Sequence, residues 1–203
     1  MVDTLIFDFG DVFINLDKPG AMTNALHLFQ MSTFEDDMIR INIDYEIGKI
    51  STEEFISFYT NKFKHLNKEA IIDAWNFIIK DFPEYRLDFL QNIRNTRSYQ
   101  CILLSNTNSM HIDFIKDHVP FYNTFKNCFD AFYLSHEIHL RKPNEDIFKF
   151  VIDTHQLVPE QCLFIDDTTE NTDTAEALGI HTWNIDETKE DVITLFETYS
   201  HLF

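Results

Sequence analysis

Five short apolar runs constrain this chain more than any other feature. They span about Thr4 to Phe9, Gln100 to Leu104, Ala131 to Leu134, Cys162 to Ile165 and Ile180 to Trp183. Each is too short for a helix, and most are followed by polar or turn residues. Such runs read as strands buried on both faces, which is the pattern of a parallel sheet. Between the later ones lie segments with helical apolar spacing. Ile147, Phe150 and Val151 make one face, and Val192, Leu195, Phe196 and Tyr199 make another. Gly179, after Ala175-Glu176-Ala177-Leu178, reads as a helix stop. The alternation predicts an α/β fold, a Rossmann-like parallel sheet flanked by helices with right-handed crossovers.

The gap between the first and second runs carries no convincing strand and reads as several helices. Ser32-Thr33-Phe34-Glu35 and Ser51-Thr52-Glu53-Glu54 both fit the capping box, a hydroxyl followed three residues later by Glu. Phe55, Ile56, Tyr59 and Phe63 share one helical face, and Ile71, Ala74, Trp75 and Ile78 share the next. Gly48 interrupts between helices, and Pro83 breaks the segment towards its end. The expected organisation is a core of residues 1–15 and 99–203 with a helical insertion at 16–98. The 203 residues, 44% of them hydrophobic with 21 Phe, are ample for this.

Polar residues stand at the ends of the apolar runs or close behind them. Asp8 follows the first, Ser105 the second, and Asp166-Asp167 the fourth, while Lys142 lies in Leu140-Arg141-Lys142-Pro143. Any one of these is ordinary turn chemistry. In open α/β sheets, however, ligands bind beyond the carboxyl ends of the strands, so these residues are expected to converge. The order Asp, Ser, Lys, Asp-Asp suits phosphoryl transfer through an aspartyl-phosphate. A carboxylate nucleophile must be ionised and aimed, and a divalent cation does both while cancelling phosphate charge. Mg²⁺ is the expected cofactor, held by one or two carboxylates with other oxygens. Asp8 and Asp167 can supply the carboxylates and the Gly10 carbonyl a third protein oxygen. Lys142 offers positive charge to the phosphate or to Asp8. Ser105 and the N–H groups of the turn that begins at Asn106 can bind phosphoryl oxygens.

These residues resemble the motifs of the haloacid dehalogenase superfamily, most members of which are Mg²⁺-dependent phosphatases. Phe7-Asp8-Phe9-Gly10-Asp11-Val12 matches its first motif except at Gly10. Leu104-Ser105-Asn106 matches the second, Lys142 the family lysine, and Ile165-Asp166-Asp167 the closing acidic pair. The resemblance implies that the helical insertion is a cap. It also implies that Asp167 is the direct metal ligand, with Asp166 acting behind it or through water. Leu104-Ser105-Asn106-Thr107-Asn108 and Gly48-Lys49-Ile50-Ser51 resemble the branch that includes bacterial α-glucose-1-phosphatases.

Gly10 stands where this family places a second aspartate, which protonates the leaving alcohol and then activates water. Two readings of the departure are open. Asp11 supplies the carboxylate, or it stabilises the turn and the leaving group needs little protonation. Trp75 and Tyr45 either face the substrate from the cap or pack in its core, and Arg141 either adds charge to the site or points to solvent.

A formal charge of −18, from 34 acidic and 16 basic residues, argues against nucleic acid or an anionic membrane as partner. The expected partner is a small phosphorylated metabolite. Screening beyond about 8 Å removes most of the long-range repulsion, and the remainder must be met locally. No apolar stretch is long enough to span a membrane. The chain opens directly on its first strand, and Cys101, Cys128 and Cys162 show no CxxC spacing, so a cytoplasmic protein is expected.

Overall fold

The computed structural model describes residues 1–96 and 99–203. The five runs form one parallel sheet in the order β3-β2-β1-β4-β5. The strands are β1 (Thr4–Phe7), β2 (Gln100–Ser105), β3 (Ala131–Leu134), β4 (Cys162–Asp166) and β5 (His181–Asn184). Alternation along them sorts two cores. Leu5, Phe7, Cys101, Leu103, Leu163 and Ile165 face one layer, whereas Ile6, Ile102, Leu104, Cys162 and Phe164 face the other. This is the period-two pattern of strands covered on both sides, as the runs predict.

After β1 the chain enters α1 (Lys18–Phe29), α2 (Asp36–Glu46), α3 (Thr52–Lys62) and α4 (Lys68–Asn76). Phe29, Met38, Tyr45, Phe55, Tyr59 and Ile71 form a third core, with Trp75 packed against it. Pro83 then precedes α5 (Glu84–Thr96), whose Leu87, Leu90 and Ile93 are buried with the sheet instead. The segment 16–98 therefore divides its apolar residues between two cores, with the change after α4. Its expected end, residue 98, lies outside the described residues.

Ser51 and Glu54 form the expected capping box, with bonds of 3.2 and 2.8 Å. Ser32-Thr33-Phe34-Glu35 does not. Glu35 is itself the residue preceding α2 and makes no side-chain cap bond. Its carboxylate is drawn instead to Lys62 Nζ, 2.7 Å away.

β2 leads into α6 (Ser109–His118) and α7 (Tyr122–Lys126), which pack in the same layer as α5, and β3 leads into α8 (Ser135–Ile138) and α9 (Glu145–His155), the latter on the opposite face. β4 leads into α10 (Thr169–Ala177), and Gly179 follows it in the left-handed region, as expected of a helix stop. The C-terminal face is more broken than its spacing predicts. Val192 lies on a 3₁₀ turn and Leu195 on α11 (Leu195–Thr198), both fully buried. Three-residue turns close their bonds over a shorter span, so one continuous helix never forms.

The third core docks on the sheet through the end of α2. The Ser135 hydroxyl donates to the Glu46 carbonyl at 2.6 Å, and His139 Nδ1 lies 2.9 Å from the Ile47 carbonyl. Two carbonyls that a helix end leaves without internal partners are thus satisfied across the interface. Gly48 follows at φ 65°, and a Cβ there would fall 2.0 Å from the His136 carbonyl oxygen. Only glycine permits both that conformation and that approach.

Candidate active site

β1 is central, the chain winding to β2 and β3 on one side and to β4 and β5 on the other. The crevice where the direction reverses is the expected ligand site of such a sheet. Register sets Phe7 beside Ile165, so Asp8 and Asp166 emerge together from adjacent strands. Both lie two residues beyond positions that face the α9–α10 layer, Ile6 and Phe164.

Lys142 joins them. Its ammonium lies 2.8 Å from Asp8 Oδ1 and 2.6 Å from Asp166 Oδ2, with Lys142 and Asp166 essentially inaccessible. Asp166 has no oxygen to spare. Oδ1 accepts from the Thr168 N–H at 2.8 Å and Asn171 Nδ2 at 3.0 Å, and Oδ2 takes Asn171 as well as Lys142. Asp166 therefore holds Lys142 in place. Burial opposes the Lys142 charge, but the two carboxylates outweigh it and raise its pKa.

Asp8 is in the opposite condition. Its Oδ1 has the Lys142 ion pair but no aligned hydrogen bond. Burial pushes its carboxyl up to about 7, against the pull of Lys142 and with the help of Asp166 and Asp167. Oxygens of Asp8, Asp166 and Asp167 lie within 4.8 Å of one another. A buried carboxylate short of positive charge beside a second one is a set of hard oxygen donors that fits Mg²⁺.

A second lysine, unforeseen in the sequence, spans the other acids. Lys18 begins α1 and contacts Asp167 Oδ2 and, at 2.9 Å, Asp11 Oδ2. Burial works against its charge, but the hydrogen bonds to Asp167 and Asp11 more than compensate and raise its pKa. Burial likewise raises the Asp167 carboxyl, with Lys18 pulling it back. Asp11 sits in the left-handed region at φ 55°, and its Oδ1 accepts the Leu16 N–H at 2.8 Å. Asp11 is buried yet is not among the residues lining the cavity at the site.

That cavity, about 360 Å³, is lined by Asp8, Gly10, Leu16, Lys18, Asn106, Arg141, Lys142 and Asp167, with the first turn of α10. Ser105 is buried at the end of β2 and is not part of this lining. The Asn106 side chain clamps the Lys142 backbone, donating to its carbonyl at 2.8 Å and accepting its N–H at 2.9 Å. Its phosphate-binding potential thus rests in its backbone. Arg141 adds charge to the cavity and also pairs with Glu46 of α2 at 2.7 Å. A Cβ on Gly10 would lie 2.7 Å from Leu16 Cδ1, so leucine fills the space beside the missing side chain.

Trp75 packs against the cap core, one of the two roles left open for it. It packs edge-on against Phe55 at 4.7 Å and lines a second cavity with Lys18. Tyr45 is core, its hydroxyl accepting the Met110 N–H at 3.1 Å. Lys18, Asn171 and Leu16 escaped the sequence reading. The clue to Lys18 was Asp17-Lys18-Pro19, an N-cap followed by proline in the first turn. Asn171 showed no signal beyond its place soon after the acidic pair.

A buried lysine between two aspartates, with a third beside them at the switch point, is a donor set that suits a divalent metal in an α/β fold. The family model described as haloacid dehalogenase-like hydrolase matches residues 5–185, and the chain belongs to that family. It is 28% identical over 194 residues to the D-ribitol-5-phosphate phosphatase of Bacteroides thetaiotaomicron, covering 90% of this chain and 91% of that one. The magnesium complex of a family enzyme from the same organism matches at 33% identity and TM-score 0.84, over 96% of this chain and 98% of that one. A structure described as a predicted hydrolase of this family from Porphyromonas gingivalis matches at 29% identity and TM-score 0.82, over 98% and 97%. The expected α-glucose-1-phosphatase branch finds no support among them. Among the described residues, no helix is long and apolar enough to cross a membrane.

Proposed function

We propose that this chain is a Mg²⁺-dependent phosphatase of a small phosphate monoester, acting through an aspartyl-phosphate on Asp8. The observation that carries the reading is the buried Asp8–Lys142–Asp166 array with Asp167 alongside. Mg²⁺ would be held by Asp8 and Asp167, with the Gly10 carbonyl as a third oxygen, and would neutralise carboxylate and phosphate charge together. Asp8 attacks phosphorus, the ester oxygen departs and takes a proton from solvent, and water then hydrolyses phospho-Asp8. Lys142 holds Asp8 and a phosphoryl oxygen and the Asn106 N–H binds another, while Ser105, outside the lining, supports that turn from the end of β2. Residues 16–76 act as the cap that excludes bulk water. Asp11, committed to Leu16 and Lys18, holds the loop rather than moving a proton. The relatives support phosphatase chemistry, and three free buried cysteines suit a reducing cytoplasm.

Leu16 in the space beside Gly10 favours a second reading. With no acid at that position, the chain binds Mg²⁺ and a phosphate ester, or traps phospho-Asp8, as a regulatory protein without efficient turnover. Phosphate release from a panel of metabolite phosphates with Mg²⁺, beside Asp8→Asn, separates the two. Release that needs both Mg²⁺ and Asp8 establishes the phosphatase, whereas binding without release establishes the regulator.

A further inference from the structure

Beside the phosphate cavity lies a second cavity of about 290 Å³, between α1, α2 and α4 of the cap and α6 of the core. Lys18 lines both, so the two adjoin at that residue. The space is many times what a single water needs, and admits an organic group. Ala21, Met22, Phe34, Ala74, Trp75 and Ile78 supply most of its wall.

The few polar side chains there are already engaged. His111 Nε2 lies 3.1 Å from the Trp75 carbonyl and Nδ1 lies 3.2 Å from Asn108 Nδ2. Burial pushes its imidazole down to about 4, so it is neutral. Asn42 Oδ1 accepts from the Tyr59 hydroxyl at 2.6 Å, and the Lys18 ammonium is held by Asp11 and Asp167. This leaves the Asn42 amide nitrogen for a ligand. A polyol carries several hydroxyls, and each one buried without a partner weakens binding roughly tenfold.

A second observation narrows the class. Gly10 offers no carboxylate to protonate a departing oxygen, and Leu16 fills the place. An oxygen that departs unprotonated must be weakly basic. A phenol, at a pKa of about 10, leaves far more readily than an alcohol whose basicity is near that of hydroxide, at about 15.7.

Resting on the phosphatase reading, we propose that the substrate is a phosphate monoester with an apolar, phenol-type leaving group seated against Trp75, Phe34 and Met22. In the reaction the P–O(aryl) bond breaks as the Asp8–P bond forms. The phenolate keeps the electron pair and takes its proton from water.

The test compares phenyl phosphate with D-ribitol 5-phosphate, by kcat/KM on the full chain with Mg²⁺ and by calorimetric Kd on Asp8→Asn. Phenyl phosphate is expected to win by tenfold or more in both. Met22→Asp, at a half-exposed wall position that tolerates charge, is expected to raise KM for phenyl phosphate about tenfold and that for ribitol 5-phosphate by distinctly less. Equal or better turnover and binding of the polyol overturns the leaving-group class while the phosphatase stands. No release from either ester, with phenyl phosphate still bound more tightly by Asp8→Asn, supports the apolar pocket and sinks the phosphatase.

Discussion

Two lysines in this molecule each bridge two aspartates, and they do so under opposite conditions. Lys142 is 1% exposed between Asp8 and Asp166, whereas Lys18 is 45% exposed between Asp11 and Asp167. The first belongs to the fold. Its partner Asp166 is saturated by Thr168 and Asn171, its backbone is clamped by Asn106, and its charge lies 5.3 Å from the Phe164 ring centre. The second is a clamp on the rim, reaching from the first turn of the cap to the core. A bridge buried at every member strands all its charges when it lets go, while the rim lysine can return to water and leaves only its two buried carboxylates behind. Asp8 and Asp11 are three residues apart in one loop, so the same turn carries one carboxylate paired with a buried lysine and one paired with a half-exposed lysine.

The largest effect should come from the buried bridge. Lys142→Met strands Asp8 and Asp166 without their cation, and about 3–5 kcal/mol of stability should be lost. Urea unfolding measures it. A loss below about 1 kcal/mol would show that the array is hydrated and no different in kind from the rim.

Next in size is the pH response of Asp8. Its folded pKa, about 7, is raised by burial above the unfolded value near 4. Between those values the folded state binds more protons, so this contribution is fullest below about 4 and is lost as pH rises to about 7. Asp8→Asn lacks the titration. In Mg²⁺-free buffer, the stability of the variant relative to wild type should climb over that window by up to about 1.4 kcal/mol per pH unit. A flat difference would mean that Asp8 is not held away from water.

The sequence told much of this and missed the rest for identifiable reasons. Strand ends were legible because apolar runs stop where the sheet stops, and Asp8, Asp166 and Asp167 came with them. The partition of 16–98 was not, because Leu87, Leu90 and Ile93 of α5 have the same helical spacing as the residues of α3. Which layer an amphipathic face meets is a tertiary fact. Lys18 escaped because a lysine opening a helix looks like any solvated charge, and Asp11 holds it only after the loop turns at φ 55°. Asn106 lines the cavity, but that its side chain clamps Lys142 was not legible, since a strand-end amide carries no mark of what its side chain will meet.

Gly10, between the two carboxylates, allows the comparison to be altered at its centre. Gly10→Asp with Leu16→Ala supplies the absent carboxylate and the room for it. If the phosphatase lacks only its acid, kcat for an alkyl phosphate should rise by up to about 10², the lower end of general acid–base assistance. Gly10→Asp alone should gain less, because its Cβ starts 2.7 Å from Leu16 Cδ1. No gain in the double variant would mean that leaving-group protonation does not limit the rate.

Lys18→Ala should show the smallest effect on folding and the most telling one on binding. Lys18 is half-exposed but its two carboxylates are buried, so the loss of stability should be smaller than that of Lys142→Met without vanishing. The Asp167 carboxylate that the ammonium holds is nevertheless one proposed to hold Mg²⁺, and two cations cannot share it at no cost. Removing Lys18 takes away the competitor, and half-maximal thermal stabilisation should come at a several-fold lower Mg²⁺ concentration. If Mg²⁺ instead binds more weakly, the rim lysine is positioning Asp167 for the metal, and the two bridges differ in exposure but not in task.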